Sequence, residues 1–218
     1  MAAISSIPAR GWLALVSAII FFALSITASE EISNVDESLL LSAGLASAAL
    51  LWFVGTLSAE IRRREGADGT FAAVALGSGI LVVAFAGLGA ALRVVPSLGV
   101  SEDAALPNVG SAAFVEVANN ELIHIGTFWR GSLMAAVALI MVRSAGPGRW
   151  YGGLSAVLAA ASFLGGLSFV ASPVVSAATA VGFASYIAFH FWVALGGVVL
   201  AALSRSLPGT RRAQDASR

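Results

Sequence analysis

The sequence predicts an all-α, polytopic membrane protein: six transmembrane helices in one bundle, with both termini cytoplasmic. Three observations predict it. Of the 218 residues, 58% are hydrophobic and only 11% are charged, where a soluble domain carries about 25% charge. The apolar residues gather into six runs, each long enough to cross a hydrocarbon core of about 30 Å, which takes roughly 20 helical residues. The charges fall in the breaks between these runs, and the arginines favour alternate breaks.

The runs cover approximately 11–28, 39–57, 70–92, 121–142, 150–171 and 177–203. They are apolar on all sides and lack the period-two alternation of a membrane barrel, so they read as helices. The first follows Arg10 and ends near Thr27, Ala28 and Ser29, a layout shared with secretory signal peptides. The residues flanking Ala28 fit a small-x-small cleavage site poorly and the apolar run is long, so it is taken as a retained span. The second run follows an acidic loop holding Glu30, Glu31, Asp36 and Glu37, whose simplest role is to keep that loop solvated. It ends before Arg62, Arg63 and Arg64, which suit an orientation signal and an anchor to anionic lipid.

The third run leads into the longest connection, with turns expected at Pro96 and Pro107 and a pre-helix beginning near Ser111. A helix continuous from there to Val142 would be about 48 Å long, so its first turns would project beyond the membrane. The fourth and fifth runs are joined by 143–149, where Gly146, Pro147 and Gly148 suit a stop followed by an antiparallel restart. The sixth run follows an uncharged link and precedes a basic tail, 204–218, expected to be disordered and cytoplasmic. Domain organisation is therefore one span domain, 1–203, and the tail.

Orientation follows from the arginines, since basic residues beside span ends stay cytoplasmic. Arg10, Arg62 to Arg64, Arg143, Arg149, Arg205, Arg211, Arg212 and Arg218 fall on one side, and Arg93 is the only base in the other connections. A cell-membrane location follows.

Composition also excludes chemistry. There is no lysine, which removes Schiff-base mechanisms, and no cysteine, which removes disulfides, thiolate metal sites and thiol redox couples. Twelve acidic residues balance twelve basic ones, so nothing points to nucleic acid. A lysine-bearing phosphate loop, a Gly-x-Ser-x-Gly elbow and a His-Glu-x-x-His helix are all missing. No catalytic set, cofactor or metal site is expected, and the chain reads as a non-enzyme.

Small residues recur inside the spans at Gly44 and Ala48, Gly77 and Gly79, Gly87 and Gly89, Gly165 and Gly166, and Gly196 and Gly197. In lipid, helices associate through close approach, so these mark helix contacts, within one bundle or between copies. The five tryptophans, Trp12, Trp52, Trp129, Trp150 and Trp192, read mostly as interface or packing residues.

Ionisable residues within a span cost about 2.5–3.5 kcal/mol for a central arginine, so each is a functional lead. Counting inward from the span ends puts Arg130 about 12–14 Å deep, and His190 at a comparable level of the sixth span. A helical projection of the fourth span groups Glu116, Asn120, His124, Thr127 and Gly131 on one face, bordered by Glu121 and Arg130. The sixth groups Thr179, Tyr186, His190 and Gly197. Two such stripes are stable facing each other or a wet cleft, because lipid satisfies no hydrogen bonds. The expected site is an outward-opening polar pocket between the fourth and sixth helices, lined by Arg130, His190, Tyr186, His124, Asn120, Glu121 and Thr127. With no carboxylate at its depth, Arg130 calls for a carboxylate, a phosphate or a lipid headgroup. The competing reading has Arg130 snorkel outward beside Trp129 or bond helix carbonyls. Glu121-x-x-His124 has the spacing of carboxylate-bridged metal bundles, but it occurs once, and His124 should lie about 9 Å from His190 along the membrane normal, too far for one ion.

The run from Leu51 to Gly66, with its Trp52-Phe53-Val54-Gly55 helix end leading into Arg62-Arg63-Arg64, and the following run from Phe71 to Gly79 resemble small multi-span actinobacterial membrane proteins of unknown function. The segment Val117 to Leu122 is similar to their Leu-Asn-Asp-Leu element, which would put Asn120 and Glu121 on the family's polar pair. The joint at Gly146-Pro-Gly-Arg-Trp-Tyr-Gly152 departs from theirs in spacing. The resemblance implies topology and assigns no activity; His124 and His190 match nothing in it. The expected function is a binding or accessory role for a lipid-like or anionic ligand, the alternative being a small proton-coupled transporter or channel with Arg130 and His190 on its path.

Overall fold

The structure is a computed structural model that describes residues 9–30, 37–94, 108–144, 146–167 and 175–205, with side chains undescribed at 26–30, 37–40, 93–94, 108–121, 123 and 175–179. Six helices follow in order: α1 (Ala9–Glu30), α2 (Glu37–Glu65), α3 (Thr70–Val94), α4 (Asn108–Met141), α5 (Pro147–Leu167) and α6 (Val175–Arg205), and no strand occurs among the described residues. Five of them, α2 to α6, are long and apolar enough to cross a membrane, and α1 adds a shorter apolar stretch, Ala9–Ser25. The chain is a multi-pass membrane protein.

The helices outrun the apolar spans where charge or turn chemistry allows. At the end of α2, Glu60 pairs with Arg63 and Arg64 at i+3 and i+4, so the charged residues continue the helix to Glu65. The pre-helix and fourth span form one helix of 34 residues, about 51 Å long. Pro147 opens α5, where its missing N–H costs nothing.

The α2–α3 turn shows why the joints are tight. Gly66 and Gly69 both take positive φ, 90° and 63°, which side chains rarely adopt. Gly69 precedes α3 and has no side chain to cap it, so Glu65 reaches across and accepts from the amides of Phe71 (2.8 Å) and Ala72 (3.1 Å). Glu65→Ala is expected to cost about 1 kcal/mol, read as faster hydrogen exchange at those two amides and a lower melting midpoint.

Each helix packs on its neighbours in the chain, and α6 closes against α1. The result is a ring of six, in which α2, α4 and α6 also touch lightly across the middle. Small residues set the approaches. Gly165 of α5 meets Gly182 of α6 backbone to backbone, Gly152 lies against the backbone of Met141 and Val142, and Gly79 against Val54. Gly197 lies against Ala14, Leu15 and Ala18 of α1. Several of the predicted small-residue contacts therefore lie within the bundle. Gly165→Val would drive a branched side chain into the α6 backbone, and is expected to destabilise by about 1–3 kcal/mol, measured by unfolding in mixed micelles.

Large apolar side chains stay exposed around the ring, including Ile19, Leu45, Ile80, Leu139, Val157 and Val198, as a lipid-facing surface requires. The interior holds an aromatic cluster. Trp192 stacks on Tyr151 (centroids 5.4 Å apart) and on Phe189 (5.7 Å), and meets Phe53 edge-on (6.1 Å). Its polar atoms are satisfied: Trp192 Nε1 donates to Ser155 Oγ (2.8 Å), Ser155 Oγ donates to the Tyr151 carbonyl (2.7 Å), and Tyr151 Oη donates to the Trp192 carbonyl (3.2 Å). Gly196 makes room for this, since a Cβ there would meet the Tyr151 hydroxyl and the Phe53 ring.

Candidate functional site

In an apolar medium a hydroxyl must bond its own helix or a neighbour. Most do so here: Ser17, Thr56, Ser132, Ser155, Ser185 and Ser204 each donate to a carbonyl three or four residues earlier. Against that pattern, four buried polar atoms among the described residues find no partner: Trp129 Nε1, Arg130 Nε, Arg130 Nη2 and Ser162 Oγ. All are able to donate.

Arg130 is 6% exposed and projects from α4 into the bundle. Its guanidinium lies over the Tyr186 ring of α6, 5.0 Å from the centroid. Such a cation–π contact is worth about 2 kcal/mol when desolvated. It leaves the in-plane N–H groups unanswered, and an orphaned buried donor costs about 1–3 kcal/mol.

The orphaned atoms form one edge. Nε and Nη2 lie side by side on the guanidinium, and this is the edge that grips a carboxylate in two parallel bonds. The same protein shows that grip at Arg63, whose Nε (2.9 Å) and Nη2 (2.6 Å) hold the two oxygens of Glu60. Arg130 presents the same fork, which no protein acceptor among the described residues meets.

Tyr186 continues the site. Its ring is edge-on to His190 (4.8 Å), and His190 stacks flat on Phe21 of α1 (5.3 Å, 2°). His190 Nδ1 lies 2.9 Å from the Tyr186 carbonyl. A carbonyl only accepts, so Nδ1 carries the proton and Nε2 keeps a lone pair in the neutral ring. Arg130, Tyr186, His190 and Phe21 thus form a chain of contacts across the interior from α4 to α1. Tyr186, 38% exposed, opens it to the surface.

No protein-family model, curated protein or solved structure matches the chain. The site rests on its own geometry.

The predicted residues separate into three groups. Arg130, Tyr186 and His190 come together. Thr127 does not join them: it is buried, donates to the His124 carbonyl at 2.5 Å and packs where Gly166 of α5 leaves space. Gly131 likewise faces Phe163 of α5, so this part of the α4 stripe meets α5, while Gly197 and His190 on the α6 stripe meet α1. The side chains of Asn120 and Glu121, and those of Glu116 and Thr179, lie outside the described residues. His124 is half-buried, near the start of the part of α4 whose side chains are described. Among the described residues no three His, Asp or Glu side chains gather as metal ligands.

The levels also differ from the expectation. Gly131 opposite Phe163 and Gly165 opposite Gly182 set the registers of α4, α5 and α6. They bring Arg130, Ser162 and Ser185 to one height and put His190 about 9 Å nearer the arginine-bearing end of the bundle. Tyr186 spans the gap. Ser162, fully buried and orphaned, is the residue that the sequence reading missed; a serine in an apolar run without special spacing gives no signal. The aromatic cluster around Tyr151 and Ser155 was also missed, although their i,i+4 spacing puts them on one face.

Proposed function

We propose that the chain is a six-span protein of the cell membrane, with both termini cytoplasmic, that acts without catalysis as a binding or accessory component for an anionic or lipid-like ligand held at Arg130. The observation that carries this reading is the Nε and Nη2 edge of a buried guanidinium that no protein acceptor among the described residues meets. A carboxylate or phosphate would answer both donors at once. Tyr186 would wall one side, and Ser162, at the same level, is the next unpartnered donor. Entry is by parting α4 from α6, which touch lightly, while α5 keeps its tight crossings with both.

The span that completes the six is α1, 22 residues long, which packs against both α2 and α6 and exposes Leu13, Val16, Ile19 and Ile20. Cytoplasmic termini are supported by Arg10, Arg62 to Arg64, Arg143, Arg149 and Arg205, all at one end of the bundle. Transport, the alternative, needs a polar path through the ring, where Phe53, Tyr151, Phe189 and Trp192 are packed and buried; ion or proton flux in reconstituted vesicles separates the two readings.

Native mass spectrometry of the protein released gently from its own membranes tests the binding reading. The wild type should carry an additional mass that Arg130→Leu lacks, with both proteins folded by circular dichroism. Identical spectra, both free of adduct, would overturn it.

A further inference from the structure

At the arginine-bearing end of the ring, α1, α2 and α6 line a half-open cavity of about 530 Å³ that shares no residue with the Arg130 site. Its walls are apolar, formed by Leu13, Leu51, Trp52 and Leu200 among others, and its rim carries Arg10, Glu60 and Arg63. We propose that this cavity binds a glycerophospholipid with an anionic headgroup, the phosphate between Arg10 and Arg63 and an acyl chain along Leu13, Leu51 and Trp52.

The charge balance favours an anion. Glu60 is shared: one carboxylate holds Arg63 in a two-point grip and also meets Arg64 Nε at 2.7 Å. Arg10 has no hydrogen bond or ion pair among the described residues, so within the cavity two guanidiniums, Arg10 and Arg63, stand against one carboxylate. Glu60 fixes Arg63 in place without cancelling the field, which is the preorganisation a phosphate site needs. Arg64 turns away from the cavity to Ser144 Oγ in the α4–α5 turn.

The walls favour a lipid over a free phosphate. Trp52 is 64% exposed, and Leu13 and Leu51 are 48% and 39% exposed, so an apolar surface leads from the cavity to the membrane side of α1 and α2. Gly55 lines the cavity, and a Cβ there would meet nothing within 4 Å. The volume lies within the range of about 300–1,000 Å³ typical of small-molecule sites. It suits a headgroup, its glycerol and the first methylenes, with the rest of the chain in the bilayer. Trp52 precedes Arg63 by about 16 Å along α2, which sets it at acyl-chain depth while Arg63 stays at the rim.

The test is native mass spectrometry of the purified full chain in micelles, titrated with phosphatidylglycerol or phosphatidylcholine of the same acyl chains. The wild type should retain phosphatidylglycerol preferentially. Arg10→Gln and Arg63→Gln should each reduce that preference about fivefold at low salt, and the double variant should abolish most of it. Arg64→Gln should have little effect, and Gly55→Leu, which fills the wall, should weaken both lipids. All these positions are at the rim or on open faces, and circular dichroism melts confirm folding. The assignment fails if the two lipids bind alike, if the double variant keeps the preference, if Arg64→Gln matches Arg10→Gln, or if glycerol 1-phosphate competes as well as the intact lipid.

Discussion

Replacing Trp192 with alanine is expected to destabilise the protein by about 3 kcal/mol, the low end of the range for a buried tryptophan. Lipid is as apolar as the core, so the hydrophobic transfer term is largely missing in a bilayer, and the loss is mainly one of contacts and of the cavity left behind. Those contacts are many: Trp192 is fully buried among Phe53, Tyr151 and Phe189, from three helices of the ring. The substitution also removes the donor to Ser155 Oγ. Trp52→Ala is the control, because Trp52 is 64% exposed. Its unfolding midpoint in mixed micelles should barely move; equal shifts for the two variants would mean that the aromatic cluster does not hold the ring together.

The second large effect concerns binding. Arg130→Leu should abolish retention of the anionic ligand while costing little stability, since it removes a buried charge together with its unanswered donors. Arg130→Lys is the sharper variant. A lysine keeps the positive charge but has no planar fork, so affinity should fall by about tenfold or more if two parallel bonds are made. If attraction by charge alone holds the ligand, lysine will serve as well as arginine. Tyr186→Phe keeps the ring under the guanidinium and should preserve most of the binding, whereas Tyr186→Ala should not. Retained adduct, measured against each variant's melting curve, separates these outcomes.

The helices were legible in the sequence because an apolar run of about 20 residues has few other uses. Arg130 was legible for the same reason, as a charge where charge is costly, and Tyr186 and His190 were tied by their i,i+4 spacing on α6. The neighbours of each face were not legible. A projection shows that Thr127 and Gly131 share a face, but Gly166 and Phe163 make that face meet α5. Gly197 similarly turns its stripe toward Ala14 and Ala18 of α1. Depth was misjudged because it was counted from the ends of separate apolar runs, whereas the relative levels are set by Gly131 against Phe163 and Gly165 against Gly182. The cavity at Arg10 and Glu60 was invisible because it joins residues from opposite ends of the chain.

What lies against the Nε and Nη2 edge of Arg130 separates a ligand site from a structural arginine, and a high-resolution cryo-electron microscopy map of the protein in nanodiscs made with its native lipids shows this directly. Non-protein density within hydrogen-bonding distance of both nitrogens, with the Tyr186 ring beneath the guanidinium, is the predicted result. A guanidinium turned out to the acyl chains, or an edge closed by apolar side chains with no density beside it, would contradict the account.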